Sequence, residues 1–183
     1  MTSSKLVYYI NPYDKQPVDS LSRLIGARIP SDVRPMVLCI GSDRLTGDCL
    51  GPITGSRLKS IFGGKISVLG TLESPVHALN LKETIDNIGS ISPKPYIIAV
   101  DACLGTHIGS VTLSEGSVVP GAGVNRALTA VGNLAITGIV GSCHGNTLTN
   151  LSTVRLNEVI ALSEIISSAL AESLLKHIGR VAN

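Results

Sequence analysis

Four short, unbroken apolar runs constrain this chain more than any other feature: Met36–Ile40 (MVLCI), Ile66–Leu69 (ISVL), Tyr96–Val100 (YIIAV) and Leu134–Val140 (LAITGIV). Runs of this length, rich in branched residues and without polar alternation, are strands buried on both faces. Helical patterns separate them. Pro52–Phe62 opens on a proline, which is favourable at a first helical position. Pro75–Ile88 places Val76, Leu79, Leu81 and Ile85 inward and Lys82, Glu83 and Asp86 outward. From about Asn150 to His177, Leu151, Val154, Val159, Leu162, Ile165, Ile166, Leu170 and Leu174 make a broad apolar stripe. Alternation of this kind predicts an α/β fold with right-handed crossovers and a mostly parallel sheet. Val111–Leu113 and Val118–Val119 are flanked by polar residues and are expected as an antiparallel edge hairpin.

The polar, proline-punctuated residues 1–18 are expected as a loose lead-in, leaving 19–183 as a single α/β domain. A short helix should open that domain, capped by Asp19 or Ser20, with Leu21, Leu24, Ile25 and Ile29 on one face. A chain of 183 residues buries about 70% of its unfolded surface and can fold without a staple. The net charge of +2 and the 3% aromatic content argue against a nucleic-acid footprint or a base-stacking platform. The N-terminal apolar run is too short for a signal peptide, and no window approaches a membrane span. Cys39, Cys49, Cys103 and Cys143 contain no CxxC pair, which fits a reducing, cytoplasmic setting.

Ligands in open α/β sheets sit beyond the carboxyl ends of the strands, where strand order reverses. The segments to inspect are therefore GSDRLTGDCLGP, Gly41–Pro52, and DACLGTHIG, Asp101–Gly109. The first is no P-loop, because Asp48 stands where the lysine is needed and would repel phosphate. GxGxxG is absent too, so neither segment predicts nucleotide binding. What the segments do share is an acidic residue each, Asp48 (with Asp43 nearby) and Asp101. Two close carboxylates cannot both ionise easily, and such a pair can hold one proton while activating a water. The alternative is structural: Asp101 capping a turn, Asp48 favouring a helix N-terminus.

Taken together, TGDCLGP and IIAVDACLG closely resemble the spore-protease superfamily, nearest to the YyaC-like sporulation proteins related to the germination protease. The resemblance extends through GTLESPVHALNL (Gly70–Leu81), VVPGAGVNRAL (Val118–Leu128) and LAITGIVG (Leu134–Gly141), from about Met36 to the C-terminal helix. It implies a three-layer α/β/α single domain shared with hydrogenase-maturation endopeptidases. It also implies a peptidase of the cytoplasm of a spore or sporulating cell, acting on a protein or peptide. Asp48 and Asp101 match the aspartates thought to act in the germination protease. In the hydrogenase-maturation relatives a Glu, an Asp and a His bind nickel; the first two positions are Asp48 and Asp101 here.

The reading that follows is an aspartate-pair hydrolase without a cofactor. Asp48 and Asp101 would be catalytic. Ser42, Thr46, His77 and His144 would position the carboxylates or bind substrate. A metal-assisted endopeptidase is the rival, with Asp48, Asp101 and His144 as the ligands to weigh. A non-catalytic sporulation factor using the cleft as a peptide-binding groove is the other. His77 could line the cleft or merely cap its helix, His144 could be a locally bonded loop residue, and His107 is expected to be solvated. Cys49, Cys103 and Cys143 are expected as inert thiols rather than a nucleophile with His144 as base. The PGAGVNRAL stretch offers backbone amides to a substrate or is a structural turn. No nucleic-acid or membrane partner is expected, and a homo-oligomer is compatible with the sequence.

Overall fold

The computed structural model describes residues 6–120 and 129–181. In chain order they form β1 (Val7–Ile10), α1 (Pro17–Gly26), β2 (Pro35–Cys39), α2 (Leu50–Phe62), β3 (Ser67–Leu69), α3 (Leu81–Gly89) and β4 (Tyr96–Leu104). Then come β5 (Val111–Glu115), β6 (Leu134–Gly141), α4 (Thr147–Ser152) and α5 (Leu156–Val181), and a 3-10 turn, Thr46–Cys49, leads into α2. The strands make one sheet in the order β1-β5-β6-β4-β2-β3. The four apolar runs are its parallel part, β3, β2, β4 and β6.

The inner strands β2, β4 and β6 of that part are largely buried because both of their faces are covered, whereas β3 at the edge is only partly so. Val37, Cys39, Ile98, Val100 and Ile136 pack with Leu21 and Ile25 of α1, Leu50 and Leu58 of α2, and Leu162, Ile166 and Leu170 of α5. The alternate residues Met36, Leu38, Ile40 and Ala99 pack on Val76 and on Leu81 and Ile88 of α3. Period-2 alternation thus divides each strand between two apolar layers, which is why its sequence shows no alternation of polarity. The expected three-layer α/β/α domain is what forms.

Several local expectations differ from the structure, among them the start of α2, which opens at Leu50 rather than at Pro52, and that of α3, which opens at Leu81 rather than at Pro75. Residues 7–10 are no loose lead-in: they pair antiparallel with β5, from Val7 opposite Ser114 to Ile10 opposite Val111. Arg28 stacks on Tyr8 of this strand at 4.4 Å and pairs with Glu115 of β5 at 3.2 Å. The first helix starts at Pro17, before either expected cap, Asp19 or Ser20, because a proline's missing N–H costs nothing in the first turn. Val111–Leu113 does not form a hairpin with Val118–Val119. It pairs with β1 and β6, while Val118 bridges Val131. The long C-terminal helix is two helices, since the Thr- and Asn-rich start (NTLTNLST) is capped separately by Asn146, which accepts the Thr149 amide at 3.0 Å.

One buried polar contact joins α2 to α5. Thr54 Oγ1 bonds the Leu50 carbonyl at 2.7 Å and pairs with Ser163 Oγ at 3.1 Å, both residues fully buried. Thr54→Val fits the space but leaves the Ser163 hydroxyl without this partner. A loss of about 1–3 kcal/mol is expected in urea denaturation, with the midpoint moving and the slope unchanged.

Candidate active site

The chain runs from β2 outward to β3, then returns across β2 to β4, so strand order reverses between β2 and β4. These strands are in parallel register from Pro35 opposite Tyr96 to Cys39 opposite Val100. At their carboxyl ends the two acidic segments meet. The Ile40 amide donates to the Val100 carbonyl at 2.7 Å, and the Gly41 amide turns away to the Val76 carbonyl at 2.8 Å. Gly41 has a φ of +146°, and a side chain there would start 2.1 Å from the Asp48 carbonyl oxygen. That close approach folds residues 41–48 back on themselves; the Ser42 amide closes the loop on the Asp48 carbonyl at 3.1 Å. Asp48 is thereby fixed in the 3-10 turn immediately before α2.

Asp101 lies inside β4 rather than after it, because β4 runs on to Leu104 beside β6. It shares the strand face of Ala99 and Cys103 and is only 5% exposed. Its Oδ1 accepts the Ala102 amide at 2.9 Å. Burial, and after it the charge of Asp48, raise the Asp101 carboxyl well above the ordinary carboxylate range, against the lowering effect of the Ala102 amide. Asp48 is half-buried. Burial raises it as well, while the Ser42 amide and His77 favour its ionised form. Both carboxyls are thus pushed toward the neutral acid, but Asp101 much further than Asp48, so in the pair Asp101 is the one to keep the proton.

Both line one cleft of about 370 Å³, together with His77, Cys103 and Cys143 and an apolar wall that includes Leu45, Leu104 and Leu151. Asp48 thus stands at a helix N-terminus, as the structural alternative has it, and lines the same cleft as Asp101, as the catalytic one has it. Asp101 caps no turn.

The remaining sequence candidates divide. His77 does line the cleft, though not as a helix cap: residues 75–80 form a turn, and α3 starts only at Leu81. Asn80 builds that turn, its Oδ1 accepting the His77 amide at 2.8 Å and its Nδ2 donating to the Pro75 carbonyl at 3.0 Å. His77 Nδ1 accepts the Leu79 amide at 3.3 Å, which assigns the ring proton to Nε2 in the neutral form. Ser42 touches the site through its backbone, its Oγ accepting the Arg44 amide at 3.2 Å. Thr46 begins the 3-10 turn and does not line the cleft. His144 is exposed and outside it, in a loop whose carbonyls at Ser142 and His144 are both tied to Asn150 Nδ2 at 2.7 Å.

That position removes His144 from the Asp48–Asp101–His144 set weighed for a metal. Among the described residues no three His, Cys, Asp or Glu side chains cluster so as to hold one. Asp48, Asp101 and His144 therefore do not come together as a three-ligand set. His107 is exposed, as expected, with its ring 4.9 Å from that of Tyr9. Burial is the main cause raising the Cys49 and Cys103 thiols, and Asp48 and Asp101 respectively add to it, the reverse of an activated nucleophile. The glycine-rich part of VVPGAGVNRAL lies outside the described residues.

Thr137 was not apparent from sequence. It stands opposite Asp101 in register on β6, takes a hydrogen bond from Cys103 Sγ at 3.4 Å and pairs with Thr112 Oγ1 at 2.6 Å. Its only sequence signal is that it is the one hydroxyl in an otherwise apolar run, LAITGIVG.

With this geometry in place, comparison with known proteins gives the family. The family described as "Protein of unknown function (DUF1256)" matches residues 9–169. The chain belongs to this family. A relative from Bacillus subtilis (strain 168), "Uncharacterized protein YyaC", is 42% identical over 138 residues, spanning 74% of this chain and 67% of the relative. Among solved structures, the [NiFe] hydrogenase maturation protease HycI from Thermococcus kodakarensis KOD1 aligns with a TM-score of 0.57. It is 17% identical, over 83% of this chain and 99% of its own. At that identity the likeness is one of fold. This DUF1256 chain therefore has a protease-like α/β fold and YyaC-like sequence, as the motifs implied. Among the described residues no helix is long and apolar enough to cross a membrane.

Proposed function

We propose that this protein is a peptide-bond hydrolase in which Asp48 and Asp101 share one proton over a water molecule. The observation that carries this reading is the pairing of a half-buried and a fully buried aspartate in one cleft, at the point where strand order reverses. Asp48, raised by burial less than Asp101 because the Ser42 amide and His77 favour its ionised form, takes a proton from the attacking water. Asp101, held neutral by burial and by Asp48, donates its proton to the substrate carbonyl oxygen; when the tetrahedral intermediate collapses, Asp48 passes the proton it took from water to the leaving amine, and Asp101 takes its own back from the hydroxyl. Ile40, Leu45, Leu104 and Leu151 give the cleft an apolar wall, which suits an apolar side chain beside the scissile bond. The resemblance of TGDCLGP and IIAVDACLG to the spore-protease superfamily is the ground for taking a protein of the spore or sporulating cell as substrate.

The test is a proteome-derived peptide mixture and purified small acid-soluble spore proteins, each incubated with wild type, Asp48→Asn and Asp101→Asn, with new termini read by mass spectrometry. Termini produced by wild type and by neither variant support the assignment. Equal cleavage by all three overturns it. Retained peptide binding with no cleavage by any of them assigns the cleft to recognition alone.

The pH profile has a definite shape on this reading. Activity rises as Asp48 ionises and falls as Asp101 loses its proton, and both limbs lie above the ordinary aspartate value of 3.8. His77→Gln removes a group that favours ionised Asp48. The acid limb of kcat/KM should therefore move to higher pH with the alkaline limb unmoved; an unshifted acid limb would separate His77 from the pair.

A further inference from the structure

A second cleft, remote from the aspartates, opens where the last turn of α1 meets the C-terminal half of α5. It has a volume of about 480 Å³, within the range of small-molecule sites. Arg23 comes from α1, and Lys176 and Arg180 from one face of α5, four residues apart. None of the three enters an ion pair among the described residues, whereas Arg28, Arg57, Lys59 and Lys82 all do. No Asp or Glu side chain lines the cleft.

A cluster of surface cations alone would be a solvated face. The independent observation is Ser173, which also lines the cleft. It is 5% exposed, and its Oγ has no hydrogen-bond partner among the described residues. The hydroxyl sits between the helices, 3.3 Å from where a side chain on Gly26 would begin, and Gly26 lines the cleft from the other side. A buried hydroxyl without a partner costs about 1–3 kcal/mol, so one persisting under three unpaired cations is accounted for by a ligand that bonds it. The end of α1 contributes a partial negative charge of roughly half a unit, too little to cancel three cations.

We propose that this cleft binds a small phosphorylated molecule, its phosphate held by Arg23, Lys176 and Arg180 and by the Ser173 hydroxyl. Arginine forks and hydroxyl donors match phosphate oxygens, and the charge exceeds what a single carboxylate would need. The volume leaves room beyond the phosphate for an organic part against Ile29 and Ala27. The proposal is independent of the hydrolase reading.

The test uses inorganic pyrophosphate as probe, by titration calorimetry and thermal shift, against potassium chloride of equal ionic strength. One saturable site is expected. Arg23→Ala and Arg180→Ala should each weaken binding about tenfold. Lys65→Ala, an exposed cation elsewhere, should leave it unchanged. Ser173→Ala should weaken binding several-fold while leaving the melting temperature without ligand equal or higher, which a merely structural serine would not do. No saturation by about 10 mM, the affinity range of non-specific ion pairing, overturns the site. So does equal stabilisation by chloride, or equal binding by wild type and the cleft variants.

Discussion

Asp101→Asn is expected to lower peptide cleavage by about a hundredfold to ten-thousandfold and, at the same time, to make the protein more stable at neutral pH. The two effects have one cause. Asp101 is fully buried beside Asp48, and both facts raise its carboxyl above the range it has in the unfolded chain. A group raised on folding contributes its stability fully below its unfolded value, near 3.8, and that contribution is lost as pH climbs through the folded value. Above that window the native state carries either a buried charge or a proton held at a cost. Asparagine has nearly the same shape, can still accept the Ala102 amide through its Oδ1, and has no charge to desolvate. The variant should therefore melt a few degrees higher than wild type at pH 7–8, on the order of 1 kcal/mol, with the gap closing toward pH 4. Cleavage would be lowered by that factor at every pH, since the amide cannot donate a proton and take it back. Equal melting temperatures across that pH range would show that Asp101 is not held neutral, and the acid in the mechanism would have to be found elsewhere.

The fold was legible because its strongest determinant is local. An apolar run such as MVLCI has no solvent-facing side to show, and four of them separated by helical stretches leave few arrangements other than a covered parallel sheet. The aspartates were legible for the same reason, since strand ends follow from strands. What escaped the sequence depends on contacts between distant residues. Val7–Ile10 reads as a polar lead-in because its partner, β5, lies a hundred residues on and one of its faces meets solvent. His77 was placed on a helix by the spacing of Val76 and Leu79. In the fold Val76 bridges Ile40, which holds residues 75–80 in a turn against the strand ends, with Leu79 exposed. Thr46 and His144 stand close in sequence to cleft residues, yet a turn and an asparagine-tied loop carry their side chains elsewhere. Adjacency in sequence selected the segments that meet at the cleft; only the backbone path decides which of their side chains line it.

That path depends on one close contact. Gly51 lies in the first turn of α2, and a Cβ on it would stand 2.0 Å from the Ile40 carbonyl oxygen and 2.7 and 2.8 Å from the Ile40 carbonyl carbon and nitrogen. Non-bonded carbon and oxygen need more than 3 Å, so Gly51→Ala must push the start of α2 about 1 Å away from the end of β2. Neither side can yield cheaply. Ile40 is hydrogen-bonded to Val100 of the central strand, and Leu50 and Pro52 beside Gly51 are buried. Overpacking against backbone of this kind is expected to lower stability by about 3 kcal/mol. Asp48 stands three residues before Gly51, so the same displacement moves its carboxylate relative to Asp101. A shift of that size costs about a hundredfold in a positioned reaction. Gly89→Ala, at the last residue of α3 with nothing within 4 Å of the added methyl, is the matched control and should be neutral or slightly stabilising. Activity per folded molecule distinguishes the two consequences. If Gly51→Ala melts early but the folded fraction cleaves at the wild-type rate, the contact serves the fold alone, and the placement of Asp48 has some other origin than the approach of α2 to β2.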